Sequence, residues 1–251
     1  MIRVEGLYKS FDNKTVLSDI NVVFESKKVN LIIGKSGSGK TVLLKSLIGL
    51  HTINKGKVLY GDRDITAMTS RQIKLLREEI GVVFQGGALF DSLTVLEYVK
   101  FPLNLFTNFS EKEKNERALF CLRRVNLTDA DHLYPAEISG GMKKRVAIAR
   151  AIVLKPKYLF CDEPNSGLDP LTAIVIDNLI QEITHEYDMT TIVNTHDMNS
   201  VFEIGEKIVF IHEGRKEWEG TKEEIADSDN KNLNDFIFSS KLYKKLKHVL
   251  K

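Results

Sequence analysis

Cysteine is scarce in this chain: Cys121 and Cys161 are the two in 251 residues, far apart and without CxxC spacing. That excludes a disulfide scaffold and a four-thiolate zinc site, and it suits a reducing compartment. An excess of one charge is missing as well. Lys and Arg number 36 against 34 Asp and Glu, a formal net charge of +2. The large basic field that nucleic acid attracts is therefore absent, and no nucleic-acid partner is expected. No stretch of about 18 uncharged apolar residues occurs, so no membrane span is expected. Arg3, Glu5, Lys9, Asp12, Lys14 and Asp19 interrupt the first 25 residues, which leaves no signal-peptide core. With 43% hydrophobic and 28% charged residues, disorder, collagen-like repeats and coiled coil are also excluded. A soluble, cytosolic globular protein is expected, either one large α/β domain or two small ones.

Along the chain, Val22–Phe24 and Val29–Ile33 read as strands separated by the polar turn Glu25–Lys28. A glycine-rich loop follows, and Val42, Leu43, Leu47 and Ile48 then recur at helical spacing, with Gly49 as a stop signal. Lys57–Tyr60, closed by Gly61 and Asp62, reads as a hairpin arm, Gln72–Ile80 as an amphipathic helix and Val82–Phe84 as a strand. From about residue 88 to 155 the pattern is helical. Thr94 with Glu97 and Ser110 with Glu113 form capping boxes, and a third helix runs from just after Ser139 to about Leu154, before Pro156. Tyr158–Cys161, Thr191–Val193 and Ile208–Ile211 restore the strand pattern, with a long helix capped by Asp169-Pro170 between the first two. Strands alternating with helices imply a mostly parallel, covered sheet. The chain ends differently: Phe236, Ile237 and Phe238 precede Lys241, Lys244, Lys245, Lys247 and Lys251. That end reads either as a helix packed on its own domain or on a second copy, or as a contact for anionic headgroups.

Gly34-Lys35-Ser36-Gly37-Ser38-Gly39-Lys40-Thr41 lies between an apolar strand and an apolar helix and fits G-x-x-x-x-G-K-[ST]. Such glycines let backbone N–H groups converge on phosphate oxygens, and the helix N-terminus adds its positive dipole end. Lys40 is expected to reach the β and γ phosphates and the Thr41 hydroxyl to bind Mg²⁺. Tyr158–Cys161 ends in Asp162 and Glu163, at the carboxyl end of a strand where open α/β sheets bind ligands. Asp162 suits the metal, and Glu163 suits a general base that polarises the attacking water. Ser139-Gly140-Gly141, opening a helix, offers a second phosphate cradle. One nucleotide seldom needs two cradles, so this one points to a site completed by another subunit.

In these motifs the chain resembles the ATP-binding cassette (ABC) family, over about residues 2–220. Gly34–Thr41 is similar to its Walker A, Asp162-Glu163 to its Walker B with the catalytic glutamate, and Ser139-Gly140-Gly141 to its signature. Gln85 matches the Q-loop, Ser166-Gly167-Leu168-Asp169 the D-loop and His196 the switch histidine. Phe11 stands where the family stacks an aromatic on adenine, although it also reads as plain core packing. The departures are Met142 for Gln, Gly167 for Ala and Ile138 for Leu.

The resemblance implies a P-loop NTPase core with a mostly parallel sheet, an N-terminal antiparallel β subdomain and an inserted α-helical subdomain at about 88–155. Residues 1–220 would be the cassette and 221–251 a C-terminal helical extension. It implies ATP and Mg²⁺, the ion held by Thr41, Gln85 and Asp162, with Lys40, Gln85, Glu163 and His196 as catalytic residues. Two copies would face head to tail, each lending Ser139–Met142 to the other's ATP, with Asp169 linking the two sites. A membrane permease would dock near Gln85, where Leu89, Phe90, Tyr98 and Phe101 serve either as docking surface or as helical core. Phe84–Phe90 and Tyr134–Met142, through Gly87-Ala88-Leu89-Phe90 and Met142, further resemble the Mla/Mce type, which energises phospholipid transport between bacterial membranes. That type implies the cytoplasmic face of an inner membrane and a periplasmic lipid-binding subunit reached through the permease. Motors of lipoprotein-releasing or amino-acid transporters, and soluble scaffold ATPases of iron–sulfur assembly, are the alternatives.

Overall fold

The computed structural model describes residues 1–87, 89–225 and 227–238. Two sheets organise it. The first is antiparallel, in the order β2-β1-β4-β5, from β1 (Ile2–Phe11), β2 (Lys14–Phe24), β4 (Lys55–Tyr60) and β5 (Arg63–Asp64). Asp12 and Asn13, both at positive φ, make the tight turn between β1 and β2. β1 was not legible as a strand, and its register shows why. Gly6 and Asp19 take positive φ, and the pairing slips between Val4 and Leu7. Such irregularities break the alternation of buried and exposed residues that marks a half-buried strand.

The second sheet has six strands in the order β10-β9-β3-β8-β7-β6. These are β3 (Val29–Ile33), β6 (Ile80–Val83), β7 (Tyr158–Asp162), β8 (Thr190–Thr195), β9 (Lys207–His212) and β10 (Arg215–Gly220). All pairs are parallel except β9 with β10. Every residue of β3, β7 and β8 is buried, as central parallel strands covered on both faces require.

α1 (Lys40–Leu47) leaves β3 through the glycine-rich loop and stops at Gly49, whose φ is +70°. α2 (Ser70–Glu78) ends two residues earlier than the spacing predicts. Ile80 and Gly81 belong to β6, paired with Tyr158 and Leu159, and a Cβ on Gly81 would stand 2.4 Å from the Ala151 carbonyl oxygen. That close approach requires extended backbone where a helix was expected. The inserted helices are α3 (Val95–Phe106), α4 (Glu111–Arg124) and α5 (Gly140–Ile152). Both expected capping boxes are formed, Thr94 with Glu97 and Ser110 with Glu113. Tyr98, Val99, Leu103, Cys121, Leu122 and Val146 share one buried cluster there.

α6 (Pro170–Glu186) is capped by Asp169 as predicted, and α7 (Met198–Ile204) follows β8. α8 (Lys231–Ile237) lies in the expected C-terminal extension. It buries Leu233 and Ile237, and Phe236 stacks on Phe210 at 5.6 Å, so this helix packs on its own domain. Lys241 to Lys251 lie outside the described residues. Among the described residues no helix is long and apolar enough to cross a membrane.

The turn between β9 and β10 locks the two sheets to the glycine-rich loop. Gly214 accepts from Ser18 N at 2.8 Å and donates to Ser38 O at 3.0 Å. Its φ is +76°, and a Cβ there would stand 2.2 Å from the Val16 carbonyl oxygen. Gly214→Ala is therefore expected to cost about 2–3 kcal/mol in urea unfolding and to weaken nucleotide binding through Ser38. Unchanged stability would show that this turn is not a fixed joint.

Candidate active site

The glycine-rich loop is built around conformations that side chains resist. Gly34, Gly37 and Gly39 have φ of +151°, +79° and +106°. A Cβ on Gly34 would stand 2.2 Å from Ile211 O and one on Gly39 2.8 Å from a Leu17 methyl, whereas Gly37 faces open space. The loop is thus tight against the protein on one side and open where a ligand approaches. Ser38 N donates to Lys35 O at 3.1 Å, and the buried Ser38 hydroxyl has no hydrogen-bond partner among the described residues.

Lys40 opens α1 with only 6% of its surface exposed, and its ammonium donates to Gly34 O at 2.8 Å and Lys35 O at 3.2 Å. Burial lowers its pKa, and the nearby Glu163 and Asp162 oppose that shift. A buried ammonium held by neutral carbonyls is poised for an anion.

Thr41 Oγ1 donates to Asp162 Oδ1 at 3.2 Å. Asn194, at the end of β8, donates to that same Asp162 oxygen at 2.9 Å and lies 3.4 Å from Thr41 Oγ1. Glu163 sits at φ +49°, an uncommon conformation for a residue other than glycine, with its N–H donating to Asn194 O at 2.9 Å. Its carboxylate Oε2 lies 2.7 Å from His196 Nδ1. Glu163 is largely covered and His196 is exposed.

Gln85 follows β6 in a turn where Gly86 and Gly87 both have φ of +81°. The helical segment holds that turn from behind. Tyr98 Oη donates to Gly87 O at 3.0 Å, and Arg150 donates to Val82 O at 2.9 Å with its guanidinium 5.0 Å over the Tyr98 ring. Tyr98 is buried, so of its two open readings the core one is realised. Phe90 and Phe101 are exposed, and Leu89 is partly buried.

One cavity of about 380 Å³ is lined by Ser36, Gly37, Gly39, Lys40, Thr41, Gln85, Glu163 and His196, together with Val16 and Val42. Eight expected site residues therefore meet in one place; Gly34 and Lys35 hold Lys40 through their carbonyls, and Asp162 accepts from Thr41. Phe11 does not line this cavity. Its ring meets His51 edge-on at 5.2 Å, with the Lys9 ammonium 4.5 Å from its centre. Ser139, Gly140 and Gly141 do not line it either. Ser139 caps α5, accepting from Met142 N at 3.2 Å, and is exposed with Gly140. A Cβ on Gly141 would lie 2.7 Å from a Thr172 methyl, so the start of α5 is pressed against the start of α6. Met142 packs partly buried against the apolar core.

Asn194, Arg150 and Val16 are the site's unforeseen members, whereas Tyr98 was expected as docking surface or core and grips the turn after β6. Asn194 alone had a local signal, a polar residue in an apolar strand end beside His196.

A sequence profile of the ABC transporter family matches residues 17–166. The chain is 35% identical over 236 residues to the probable ribonucleotide transport ATP-binding protein Mkl of Mycobacterium leprae, covering 94% of this chain and 68% of that protein. It is 35% identical over 237 residues to the methionine import ATP-binding protein MetN of Clostridioides difficile, covering 94% and 74%. It is 33% identical over 237 residues to the intermembrane phospholipid transport system ATP-binding protein MlaF of Haemophilus influenzae, covering 94% and 90%. The dimeric cassette MJ0796, described as a bacterial ABC transporter cassette and also solved after hydrolysis with ADP and Pi, superposes with a TM-score of 0.81 at 30% identity. That superposition covers 88% of this chain and 98% of MJ0796. A phosphate-shaped loop, a buried lysine and a carboxylate–histidine pair in one cavity agree with these likenesses: the chain belongs to the ABC transporter family and is one of its ATP-binding, ATP-hydrolysing cassettes.

Proposed function

We propose that this cassette drives phospholipid transport between bacterial membranes, working as a homodimer against an integral membrane permease that in turn contacts a periplasmic lipid-binding subunit. The observation that carries the reading is extent of likeness: MlaF of Haemophilus influenzae is matched over 90% of its length, against 68% for Mkl and 74% for MetN. The Gly86–Phe90 string and Met142 support the same choice. Methionine import is the second reading, favoured by the 35% identity to MetN. Isolating the membrane subunit that co-purifies in detergent, and extracting what it carries, separates the two. Bound phospholipid is expected; a permease that binds methionine and no lipid would overturn the reading.

The cradle fits a nucleotide triphosphate. Gly37 leaves space, the Ser38 hydroxyl has no partner among the described residues, and Lys40 is a buried cation held by carbonyls. Thr41, Asp162 and Gln85 offer the hard oxygen donors that suit Mg²⁺. When bound, that ion neutralises charge building up on the phosphates. Lys40 does the same from the protein side, at the cost of its carbonyl bonds. Glu163 presents its carboxylate to the cavity as general base, and His196 fixes that carboxylate by the 2.7 Å contact. Burial within a closed site would strengthen every one of these charges.

Completion in trans follows from what the single chain leaves undone. Ser139 and Gly140 are exposed at a helix N-terminus and do not reach their own cavity. A second copy facing head to tail would offer them to the bound phosphates, with Asp169 at the junction. On the membrane side, Phe84, Phe101, Pro102 and Leu105 line a cavity of about 230 Å³ between β6 and the inserted helices, a fitting seat for the permease. Arg150 lines it too and bonds the strand leading to Gln85, so a push there would be felt at the site.

Glu163→Gln is expected to bind ATP and lose about 10²–10⁴ in hydrolysis rate, the ordinary worth of a positioned base. Near-normal turnover would remove Glu163 from that role. Ser139→Arg should leave ATP binding to the single chain intact and abolish ATP-driven dimerisation, read by light scattering. A single chain unable to bind ATP would instead put Ser139 in its own site.

A further inference from the structure

Asp177 is the one buried carboxylate on α6 that the site described above does not use. It is 2% exposed, and its Oδ2 accepts from Ser200 Oγ at 2.8 Å. A serine hydroxyl has one proton to give, so Ser200 accepts in return from Asn165 Nδ2 at 3.2 Å. The three residues belong to three different parts of the chain. Asn165 stands two residues after Glu163, in the turn closed by Ser166 N donating to Glu163 O at 3.2 Å. Ser200, itself 1% exposed, stands four residues after His196, on α7. Glu163, Asn165 and His196 line a common cavity of about 430 Å³.

We propose that Asp177 is a positioning residue for ATP hydrolysis, holding, through Ser200 and Asn165, the loop that carries Glu163 against the helix that follows His196. The inference rests on the role proposed for Glu163, which the single Glu163→Gln variant tests by itself.

An apolar side chain would satisfy folding at this position. α6 also buries Ala173, Ile176, Leu179, Ile180, Ile183 and Thr184, and a buried carboxylate is costlier than a hydrophobe of similar volume. Burial pushes the Asp177 carboxyl up to about 6, opposed by Ser200 and the nearby Asn165 side chain and reinforced by Asp197, which caps α7, and by Glu203 within it. Cys161 of β7 also faces it, and Lys144 of α5 acts on that thiol. The carboxylate is thus ionised above about pH 6, where its bond to Ser200 is charge-assisted. Asp177 Oδ1 and Asn165 Oδ1 have no hydrogen-bond partner among the described residues, so Ser200 is the hydrogen-bonded link between the two side chains.

The test uses full-length Asp177→Asn and Ser200→Ala, both small enough to keep the packing, with steady-state ATP hydrolysis between about pH 5 and 8. Both variants are expected to lower kcat several-fold at the alkaline end, with KM for ATP within about twofold. The ratio of wild-type to Asp177→Asn kcat should then fall toward one as the pH drops through about 6, because protonated aspartic acid and asparagine make the same neutral bond. In a Glu163→Gln background neither change should cost anything further. A ratio that is flat with pH, a rise in KM without loss of kcat, or a full additional loss in the Glu163→Gln background would each overturn the proposal.

Discussion

Three parallel strands of the core end at the same level, and one oxygen joins them there. Asp162 Oδ1, closing β7, accepts from Thr41, which follows β3 through the glycine-rich loop, and from Asn194, one residue before the end of β8. That node cannot form unless β3, β8 and β7 are adjacent and in register, as the pairings of Ile33 with Thr195 and Asp162 with Asn194 provide. It sets the height of the phosphate loop over the sheet and the starting point of the Glu163 turn, whose N–H bonds Asn194 O. The positions of Lys40, Thr41, Asp162 and Glu163 all descend from this one arrangement.

The second constraint is that the chain's chemistry is divided between two faces. Lys40, Thr41, Glu163 and His196 gather in one cavity, while the cap of α5 lies away from it against α6. Such a division, on the reading proposed above, leaves the single chain inactive until a second copy brings the α5 cap to the cavity. On the reading proposed here, the turn after β6 and the D-loop are the two levers of that assembly. The first is gripped by Tyr98 and Arg150 from the inserted helices and the second by Asn165 through Ser200.

Much of this was legible in the sequence, and the reasons are local. A phosphate loop is eight consecutive residues between a strand and a helix, and Asp162-Glu163 is a pair at the end of an apolar run. The capping boxes at Thr94 and Ser110 likewise depend on residues three apart. What escaped depends on distance along the chain or on broken pattern. β1 was hidden by irregular pairing at Gly6 and Asp19, and α7 is a seven-residue helix with too few turns to show a period. Asn194, Tyr98 and Arg150 act through partners 32, 11 and 68 residues away, and no local spacing announces such contacts. Asp177 sits in a helical run where a charged residue reads as a solvated face. Only the packing of α6 on α7 shows that it is inside. Phe11 is the reverse case, an expected ligand contact that the chain by itself spends on His51 and Lys9.

The central claim is that each hydrolytic site is made from two copies, and complementation tests it most directly. A chain carrying Lys40→Met and a chain carrying Ser139→Arg are each expected to be inactive alone. Mixed, they should form dimers with one intact site, built from Lys40 of one copy and Ser139 of the other, and hydrolysis should return. If the mixture stays as inactive as its components while both variants fold, or if either variant alone keeps full activity, the divided site is wrong.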